Sequence, residues 1–219
     1  MDELLLIAAS GLAREVLAAV RASGRSDVIG ILDDDAGKTG AIVDGVRILG
    51  PASDALNYPG AGVVVCVGSG AGRARIVDRL AALGLSDRRY ATVVDSLVRI
   101  PDGCAIGRGS VLLGHVTLTA GVTLGEHVVV MPGVTLTHDD VVEDFATFAA
   151  GVSLGGGVRI GRAAYLGMNA SVRERITVGA GARVGMGAAV LVDVPDGETW
   201  AGVPARVLEP AAAAAGGVR

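Results

Sequence analysis

The chain is poor in the features that mark secreted, membrane and nucleic-acid-binding proteins. Two cysteines among 219 residues are too few for a disulfide framework, so Cys66 and Cys104 are predicted to be buried thiols. Apolar runs such as residues 63–67 fall far short of the ~20 residues that span a bilayer, and the start, Met1-Asp2-Glu3, lacks the basic residues of a secretory signal. A net charge of −4 does not favour nucleic acid. We expect a cytoplasmic protein without membrane or nucleic-acid partners.

Aromatic residues are also scarce, at 3%, whereas apolar residues make up 51% and glycine occurs 34 times. Every sixth residue from Ile100 to Val190 is large and apolar, sixteen times without a break. A period of six fits neither a helix nor a hairpin array and predicts a parallel β-helix, in which short strands stack coil upon coil. The residue four places after each anchor is mostly small or β-branched and shares its interior face. Glycine often follows the anchor directly, where a corner is expected to need backbone freedom.

The first 97 residues show a different pattern. Strand signals at 4–8, 28–32 and 63–67 alternate with helix signals at 11–21 and 76–83. Alternating strands and helices predict a parallel sheet covered by helices, and about ninety residues suffice for a half-sized Rossmann-like domain. We therefore predict an α/β Rossmann-like domain at 1–97, an all-β solenoid at 98–210 and a disordered tail at 211–219.

Two turns of the first domain lie where parallel sheets bind ligands, beyond the carboxyl ends of the strands. Ser10-Gly11 opens the first helix, where free N–H groups bind phosphate. Asp33 and Asp34 follow the second strand, where a carboxylate commonly accepts hydrogen bonds from ribose, and Gly68 follows the third. The alternative is that these are tight turns and a solvated acidic loop. The G-x-G-x-x-G fingerprint of a nicotinamide oxidoreductase is absent, which argues against that enzyme class.

The three histidines of the chain differ in their position within the hexads. His115 and His127 fall three places after an anchor and on different faces, so they are predicted to be corner or surface residues, not ligands of a shared zinc ion. His138 falls two places after an anchor and is followed by Asp139 and Asp140. Asp140 takes a phase otherwise predicted to be small and apolar, and such a local exception favours a functional site. The alternative is a polar loop.

The combination of these features resembles a known family. A small Rossmann-like domain with a Ser-Gly turn and Asp-Asp after its second strand precedes a hexapeptide solenoid that ends in Gly202-Val203-Pro204-Ala205-Arg206. This arrangement is similar to the NeuD/PglD-like sugar acyltransferases. The resemblance implies a left-handed β-helix with three hexads per coil, a little over five coils between residues 100 and 195, and a homotrimer with its sites between subunits.

The resemblance also implies an acetyl-CoA-dependent transfer to a sugar, without a metal. His138 matches the general base and Asp139 its partner carboxylate. The glycine corner at residues 155–157 is a hypothetical source of the oxyanion donor. The implied acetyl-CoA contacts are Thr147, Gly167, Met168, Met186, Gly202, Pro204 and Ala205. The implied contacts to a nucleotide-linked acceptor are Ser10, Gly11, Leu12, Asp33, Asp34 and Gly68.

The chain departs from the family at three positions. Relatives usually have glycine at the position of Ala8 and a histidine near Leu12, and some have a histidine where this chain has Thr147. The acceptor sugar, the acylated atom and the acyl chain length therefore stay open. The alternatives are O-acetylation of a free acidic sugar such as sialic acid, and a non-catalytic trimeric scaffold or nucleotide-binding module.

Overall fold

The computed structural model describes residues 2–208, so the predicted tail at 211–219 lies outside the described residues. The N-terminal domain is a five-stranded sheet in the order β3-β4-β2-β1-β5. Its strands are β1 (Asp2–Ile7), β2 (Ser26–Leu32), β3 (Ile42–Val43), β4 (Val46–Gly50) and β5 (Gly62–Val65), and its helices are α1 (Gly11–Ser23) and α2 (Gly70–Ala82). Short 3-10 turns occupy Ala36–Lys38, Ala52–Asn57 and Asp87–Arg89.

The central strands of this sheet are parallel, as predicted. β1 pairs in parallel with β2 and β5, and β2 with β4; β3 and β4 form an antiparallel hairpin that was not predicted. The Ser10 side chain begins α1 by accepting a hydrogen bond from the N–H of Ala13, and Gly24 ends it at a φ of 61°. The apolar face of α1, with Val16 and Leu17 almost fully buried, packs in the core of the sheet. The carboxyl ends of β1, β2 and β5 therefore lie along one edge.

A regular series of short strands follows. Their bounds are β6 (Val93–Val94), β7 (Ala105–Ile106), β8 (Val111–Leu112), β9 (Thr117–Leu118), β10 (Thr123–Leu124), β11 (Val129–Val130), β12 (Thr135–Leu136), β13 (Val141–Val142), β14 (Thr147–Phe148), β15 (Ser153–Leu154), β16 (Arg159–Ile160), β17 (Tyr165–Leu166), β18 (Ser171–Val172), β19 (Thr177–Val178), β20 (Arg183–Val184), β21 (Ala189–Val190), β22 (Thr199–Ala201) and β23 (Arg206–Val207). β6, within the predicted first domain, already pairs with β8 of the solenoid.

The strands stack into three sheets, and from β6 to β21 each residue is paired with the one eighteen positions later, as Thr123 is with Val141 and Val141 with Arg159. At the end of the solenoid, Arg183 pairs with Thr199 at a spacing of sixteen, and β23 is antiparallel to β22. Face 1 contains β7, β10, β13, β16 and β19; face 2 contains β6, β8, β11, β14, β17, β20, β22 and β23; face 3 contains β9, β12, β15, β18 and β21. Three hexads thus make one coil of a parallel β-helix. Apart from Ile100, which precedes β7 and is 39% exposed, each predicted anchor is the second residue of a strand.

The interior follows the predicted alternation. From Leu112 to Val190 the anchors, together with small residues such as Val134 and Ala164 four places after an anchor, form one continuous buried cluster. Full burial of an aliphatic side chain contributes roughly 1.5–3 kcal/mol, so stacking identical layers supplies the stability that a single two-residue strand lacks.

Glycine does follow many of the anchors, but the predicted reason, backbone freedom at a corner, was wrong. Positive φ occurs two residues later, at positions such as Gly109 and Asp139. The glycines that follow the anchors lie against the next coil, and a Cβ added at Gly155 would be 2.5 Å from the backbone nitrogen of Glu174. They are small because neighbouring coils approach closely, not because the corner needs left-handed backbone. The members of this set are Gly107, Gly125, Gly155, Gly161, Gly167, Gly179 and Gly185.

The interpretation of Asp140 as a functional exception also needs correction. Asp140 is fully buried and accepts hydrogen bonds from the N–H groups of Thr137, at 2.7 Å, and Val158, at 2.9 Å. Ser110 occupies the same phase, is equally buried, and accepts from the N–H of Val128 at 3.0 Å. Both side chains satisfy an N–H one coil further on, so the polar residue at this phase has a structural role.

Candidate active site

His138 and Asp139 form a hydrogen-bonded pair at a corner of the β-helix between β12 and β13. The Nδ1 atom of His138 lies 2.9 Å from Oδ2 of Asp139. Asp139 has a φ of 64°, a left-handed conformation that aspartate tolerates better than most residues. The two side chains are 68% and 76% exposed, so the imidazole is accessible from solvent.

The ring of His138 lies against Gly156, one coil further along the same corner. A Cβ added to Gly156 would be 2.3 Å from Nε2 of His138, so only glycine leaves room for the ring in this position. The neighbouring N–H groups of Gly155 and Gly157 donate to the carbonyls of Val172 and His138, both at 2.8 Å. Within residues 2–208, the N–H of Gly156 has no protein acceptor. A free imidazole nitrogen and a free backbone donor are thus adjacent.

The other two histidines lie on the two remaining corners. His115 is an exposed corner residue with a φ of 62°. His127 is only 2% exposed, with its ring stacked on Phe145 at 5.0 Å and edge-on to Tyr90 at 4.6 Å. Burial, together with the nearby charge of Arg73, lowers the pKa of His127 to about 4. Within the described residues no three histidine, cysteine or acidic side chains converge as metal ligands do.

Face 3 runs between the corner of His138 and the corner that carries the two exposed methionines. Met168 and Met186 are stacked one coil apart and are 48% and 71% exposed. Gly167 lets these two coils pack closely, because a Cβ at this position would lie only 2.6 Å from the backbone nitrogen of Met186. The outward residues of face 3 between the two corners include Ser153 and Ser171, both small and exposed. These corners therefore border a strip that includes small, exposed residues.

The remaining predicted acetyl-CoA contacts are distributed differently. Gly202 and Pro204 lie in an exposed turn, joined by a cis Val203-Pro204 bond. Ala205 is 2% exposed and belongs to the core at the end of the β-helix. Thr147 is 4% exposed, and its hydroxyl is hydrogen-bonded to Arg73 and to the carbonyl of Gly68, both at 3.0 Å. Thr147 as an acetyl-CoA contact stays a prediction, but its hydroxyl already has partners within the chain.

The predicted acceptor residues meet at the carboxyl edge of the N-terminal sheet. Asp33 accepts from the N–H groups of Ala9, at 2.7 Å, and Asp35, at 2.9 Å, and from Lys38 at 3.1 Å. Although burial opposes it, these bonds hold the pKa of Asp33 below its ordinary value. Asp33 thus ties the end of β1 to the end of β2.

Other side chains at this edge are also engaged. The Ser10 hydroxyl donates to the Cys66 carbonyl at 2.6 Å. Asp34 accepts from the N–H of Ala52 and from Arg79. Gly11 and Gly68 are exposed and Leu12 is nearly buried. What this edge offers to a ligand is mainly backbone at the exposed glycines, while its side chains fix the turns.

Ala8 explains one departure from the family pattern. It has a φ of 80°, in the region that glycine adopts at no steric cost. The turn therefore keeps the glycine-type geometry although the residue is alanine. A depression of about 700 Å³ lined by Glu3, Arg25 and Tyr90 lies at the opposite, amino-terminal edge of the sheet, away from these residues.

Sequence reasoning missed one residue that shapes this region. Arg73, on α2, is fully buried and contacts both the Gly68 turn and the β-helix. No signal in the sequence points to it, because an arginine on a helix is usually solvated.

None of the helices in residues 2–208 has the length and apolar character needed to cross a membrane.

Comparisons with known proteins agree with this architecture. Residues 3–80 match the family model of the PglD N-terminal domain. The acetyltransferase domain of PglB from Neisseria gonorrhoeae is 30% identical, with a TM-score of 0.85 over 95% of this chain and 100% of that one. PerB from Caulobacter crescentus, solved with CoA and GDP-perosamine, is 26% identical, with a TM-score of 0.86 over 95% of this chain and 98% of that one.

WeeI from Acinetobacter baumannii is 26% identical, with a TM-score of 0.79 over 95% of this chain and all of that one. A comparison with curated protein sequences finds no match. The predicted fold, a Rossmann-like domain followed by a left-handed parallel β-helix, is confirmed, and so is the prediction of an acyltransferase. The chain belongs to the NeuD/PglD-like family of sugar acyltransferases.

Proposed function

We propose that this protein transfers the acetyl group of acetyl-CoA to an amino or hydroxyl group of a nucleotide-linked sugar, with His138 as general base. The observation that carries the proposal is the position of the His138 ring, which is oriented by Asp139 and lies against Gly156. The N–H of Gly156 has no protein acceptor among residues 2–208. The support for the substrates comes from the relatives, since PglB was solved with acetyl coenzyme A and PerB with CoA and GDP-perosamine.

The geometry suits direct attack. Asp139 accepts the Nδ1 proton of His138, which fixes the tautomer with a free lone pair on Nε2. Nε2 removes the proton of the acceptor as its nitrogen or oxygen bonds to the thioester carbonyl. The N–H of Gly156 stabilises the negative charge that develops on the carbonyl oxygen. His138 then returns the proton to the departing CoA sulfur as the carbon–sulfur bond breaks.

Neither cysteine is a fully exposed thiol; Cys104 is partly exposed, although it was predicted to be buried. Cys66 is buried in the N-terminal domain, where burial raises the pKa of its thiol. A thiol that stays protonated is a poor nucleophile. Both cysteines are free, as expected of a protein that works in the reducing cytoplasm, where we place the reaction.

We propose that acetyl-CoA lies along face 3, against Met168, Met186 and the Gly202 turn. This strip is exposed in the single chain and bordered by the corner of His138. We propose the carboxyl edge of the N-terminal sheet as the acceptor site. A flat exposed face also suits packing against a second solenoid, and we propose a homotrimer, which sedimentation equilibrium tests.

The test measures acetyl transfer to a panel of GDP-, UDP-, dTDP- and CMP-linked amino sugars and to free sialic acid. Transfer is monitored by release of the CoA thiol and by the mass of the product. His138→Ala is expected to lower the rate by at least about a hundredfold without loss of folding. His115→Asn, at an exposed corner of another face, is the matched control and keeps full activity. Transfer only to a free acidic sugar supports O-acetylation of that substrate instead. Unchanged turnover in folded His138→Ala rejects the assignment of the base.

A further inference from the structure

Arg73 is a buried arginine whose charge no carboxylate compensates. Its side chain is 0% exposed, and within residues 2–208 no aspartate or glutamate forms an ion pair with it. Burial lowers the pKa of Arg73 to about 10, so it is protonated at neutral pH. Burying an unpaired cation is costly, and an apolar residue would fill the same space at a lower cost.

The guanidinium is held entirely by backbone carbonyls and one hydroxyl. Nη1 donates to the carbonyls of Val67, at 2.8 Å, and Gly68, at 3.1 Å. Nε donates to the His127 carbonyl at 3.0 Å. Nη2 donates to the carbonyls of Phe145, at 2.7 Å, and Ala146, at 2.9 Å. The planar fork thus joins the turn after β5 to two coils of the β-helix.

Thr147 completes this junction. Its hydroxyl accepts from Nη2 of Arg73 at 3.0 Å and donates to the Gly68 carbonyl at 3.0 Å. The carbonyl of Gly68 therefore receives one hydrogen bond from each domain. The start of α2 is in equally close contact, since a Cβ at Gly70 would lie 2.1 Å from the Phe145 carbonyl oxygen.

The junction bears on two parts of the proposed active site. Gly68 lies in the edge that we propose binds the acceptor. Phe145 and Ala146 lie one strand, β13, beyond His138 on the same coil. A rigid link between the turn and this coil sets the position of the acceptor edge relative to the base, and misplacement of roughly 1 Å costs about a hundredfold in rate.

We infer that Arg73 and Thr147 are positioning residues, which together fix the acceptor-binding turn at Gly68 on the coil that carries His138. This inference rests on the proposed function. It assigns Thr147 to acceptor alignment, whereas the resemblance assigns it to acetyl-CoA. The rigid fork of arginine is needed because a lysine ammonium at the same place cannot donate to carbonyls on both sides of the junction.

The two assignments of Thr147 predict different kinetics. Thr147→Val keeps the shape of the side chain and removes the hydroxyl. We expect kcat/KM for the sugar acceptor to fall about tenfold, while the KM for acetyl-CoA stays within about twofold. Thr147→Ser, which keeps the hydroxyl, restores the acceptor kinetics. A raised KM for acetyl-CoA with unchanged acceptor kinetics overturns the inference.

Arg73→Lys tests the fork itself and is expected to lower kcat/KM for the acceptor about 100-fold, again without effect on the KM for acetyl-CoA. Arg75→Met removes an exposed arginine from the same helix and is the matched control with wild-type kinetics. Wild-type acceptor kinetics in folded Arg73→Lys overturn the inference. It is also overturned if kcat/KM falls equally for the acceptor and for acetyl-CoA, by the fraction of the protein that is unfolded. If Arg73→Lys does not fold, Thr147→Val decides by the same criteria.

A measurement independent of activity separates the inference from the proposed function. The amides of Gly72 and Arg73 donate to Ser69 in the first turn of α2, so loosening of the junction exposes them. We expect faster hydrogen exchange at these two amides in Thr147→Val than in Thr147→Ser. If the wild-type protein acetylates no sugar, the proposed function fails. If the exchange rates are equal in Thr147→Val and Thr147→Ser, the junction formed by Arg73 and Thr147 is rejected, whatever the activity.

Discussion

Replacing Gly156 with alanine tests the proposed site directly. A Cβ at this position would lie 2.3 Å from Nε2 and 2.4 Å from Cε1 of His138, and the three nearest atoms all belong to that ring. Since ordinary contact begins near 3.4 Å, the imidazole must move by roughly 1 Å, a misplacement that costs about a hundredfold in rate. The expected fall in kcat/KM corresponds to about 2.7 kcal/mol of lost transition-state stabilisation.

The stability of the variant should hardly change. The His138 side chain is 68% exposed and can swing into solvent, and Gly156 does not have a positive φ. We expect the free energy of unfolding to stay within about 0.5 kcal/mol of wild type. Gly60→Ala, where an added Cβ has no neighbour within 4 Å, is the control for the substitution itself. The assay is thiol release from acetyl-CoA with saturating acceptor, together with urea unfolding of each variant.

A double variant separates displacement of the ring from other effects. In the His138→Ala background there is no imidazole to displace, so adding Gly156→Ala should cost little further activity. Two outcomes refute the reasoning: a folded Gly156→Ala protein with wild-type kcat/KM, or losses that add fully in the double variant. Full additivity would mean that the residue at 156 acts independently of the base.

Four further predictions concern separate parts of the molecule. Asp139→Asn should lower kcat about tenfold or more in steady-state assays, because a carboxylate no longer fixes the His138 tautomer. Met186→Asp should raise the KM for acetyl-CoA and leave that for the acceptor unchanged, because it adds negative charge to the proposed strip. Ala8→Gly should raise the free energy of unfolding in urea by up to about 1 kcal/mol, because alanine is strained at a φ of 80°. Burial raises the pKa of Asp140 to about 6, so its contribution to stability is greatest below about pH 4 and falls as the pH rises through 6. The difference in urea midpoint between wild type and Asp140→Asn should therefore shrink from pH 4.5 to pH 7.5. A difference that grows over this range would contradict the raised pKa of Asp140.

The β-helix could be predicted from sequence almost strand by strand. Its contacts repeat at a fixed spacing, so every anchor from Ile106 to Val190 carries the same signal. The three strands predicted in the N-terminal domain correspond to β1, β2 and β5, and their ends differ from the observed ends by at most two residues. The β3–β4 hairpin was missed because its first strand has only two residues, although Asp44-Gly45 at its turn, both with positive φ, is a common hairpin signal.

The junction between the domains could not be predicted, because it depends on contacts between segments far apart in sequence. Arg73 is more than fifty residues from His127 and more than seventy from Phe145. Neither helical periodicity nor hexad phase relates such residues. The burial of Thr147 has the same origin, since its phase alone marks it as outward and only the N-terminal domain covers it.

The eighteen-residue coil identifies which residues are in contact, but it does not identify what they do. It places Gly156 beside His138, and the structure shows why a glycine is needed there. The same logic marked Asp140 as an exception that favours a functional site, yet Asp140 and Ser110 both accept a hydrogen bond from a backbone N–H one coil away. The distinction lies in hydrogen-bond partners: Asp140 has both oxygens occupied within the core, whereas Nε2 of His138 and the N–H of Gly156 have no protein partners among residues 2–208. His138 is exposed and Gly156 is partly exposed, so both are accessible to a substrate. We therefore propose that these two residues carry the chemistry, whereas Asp140 stabilises the fold.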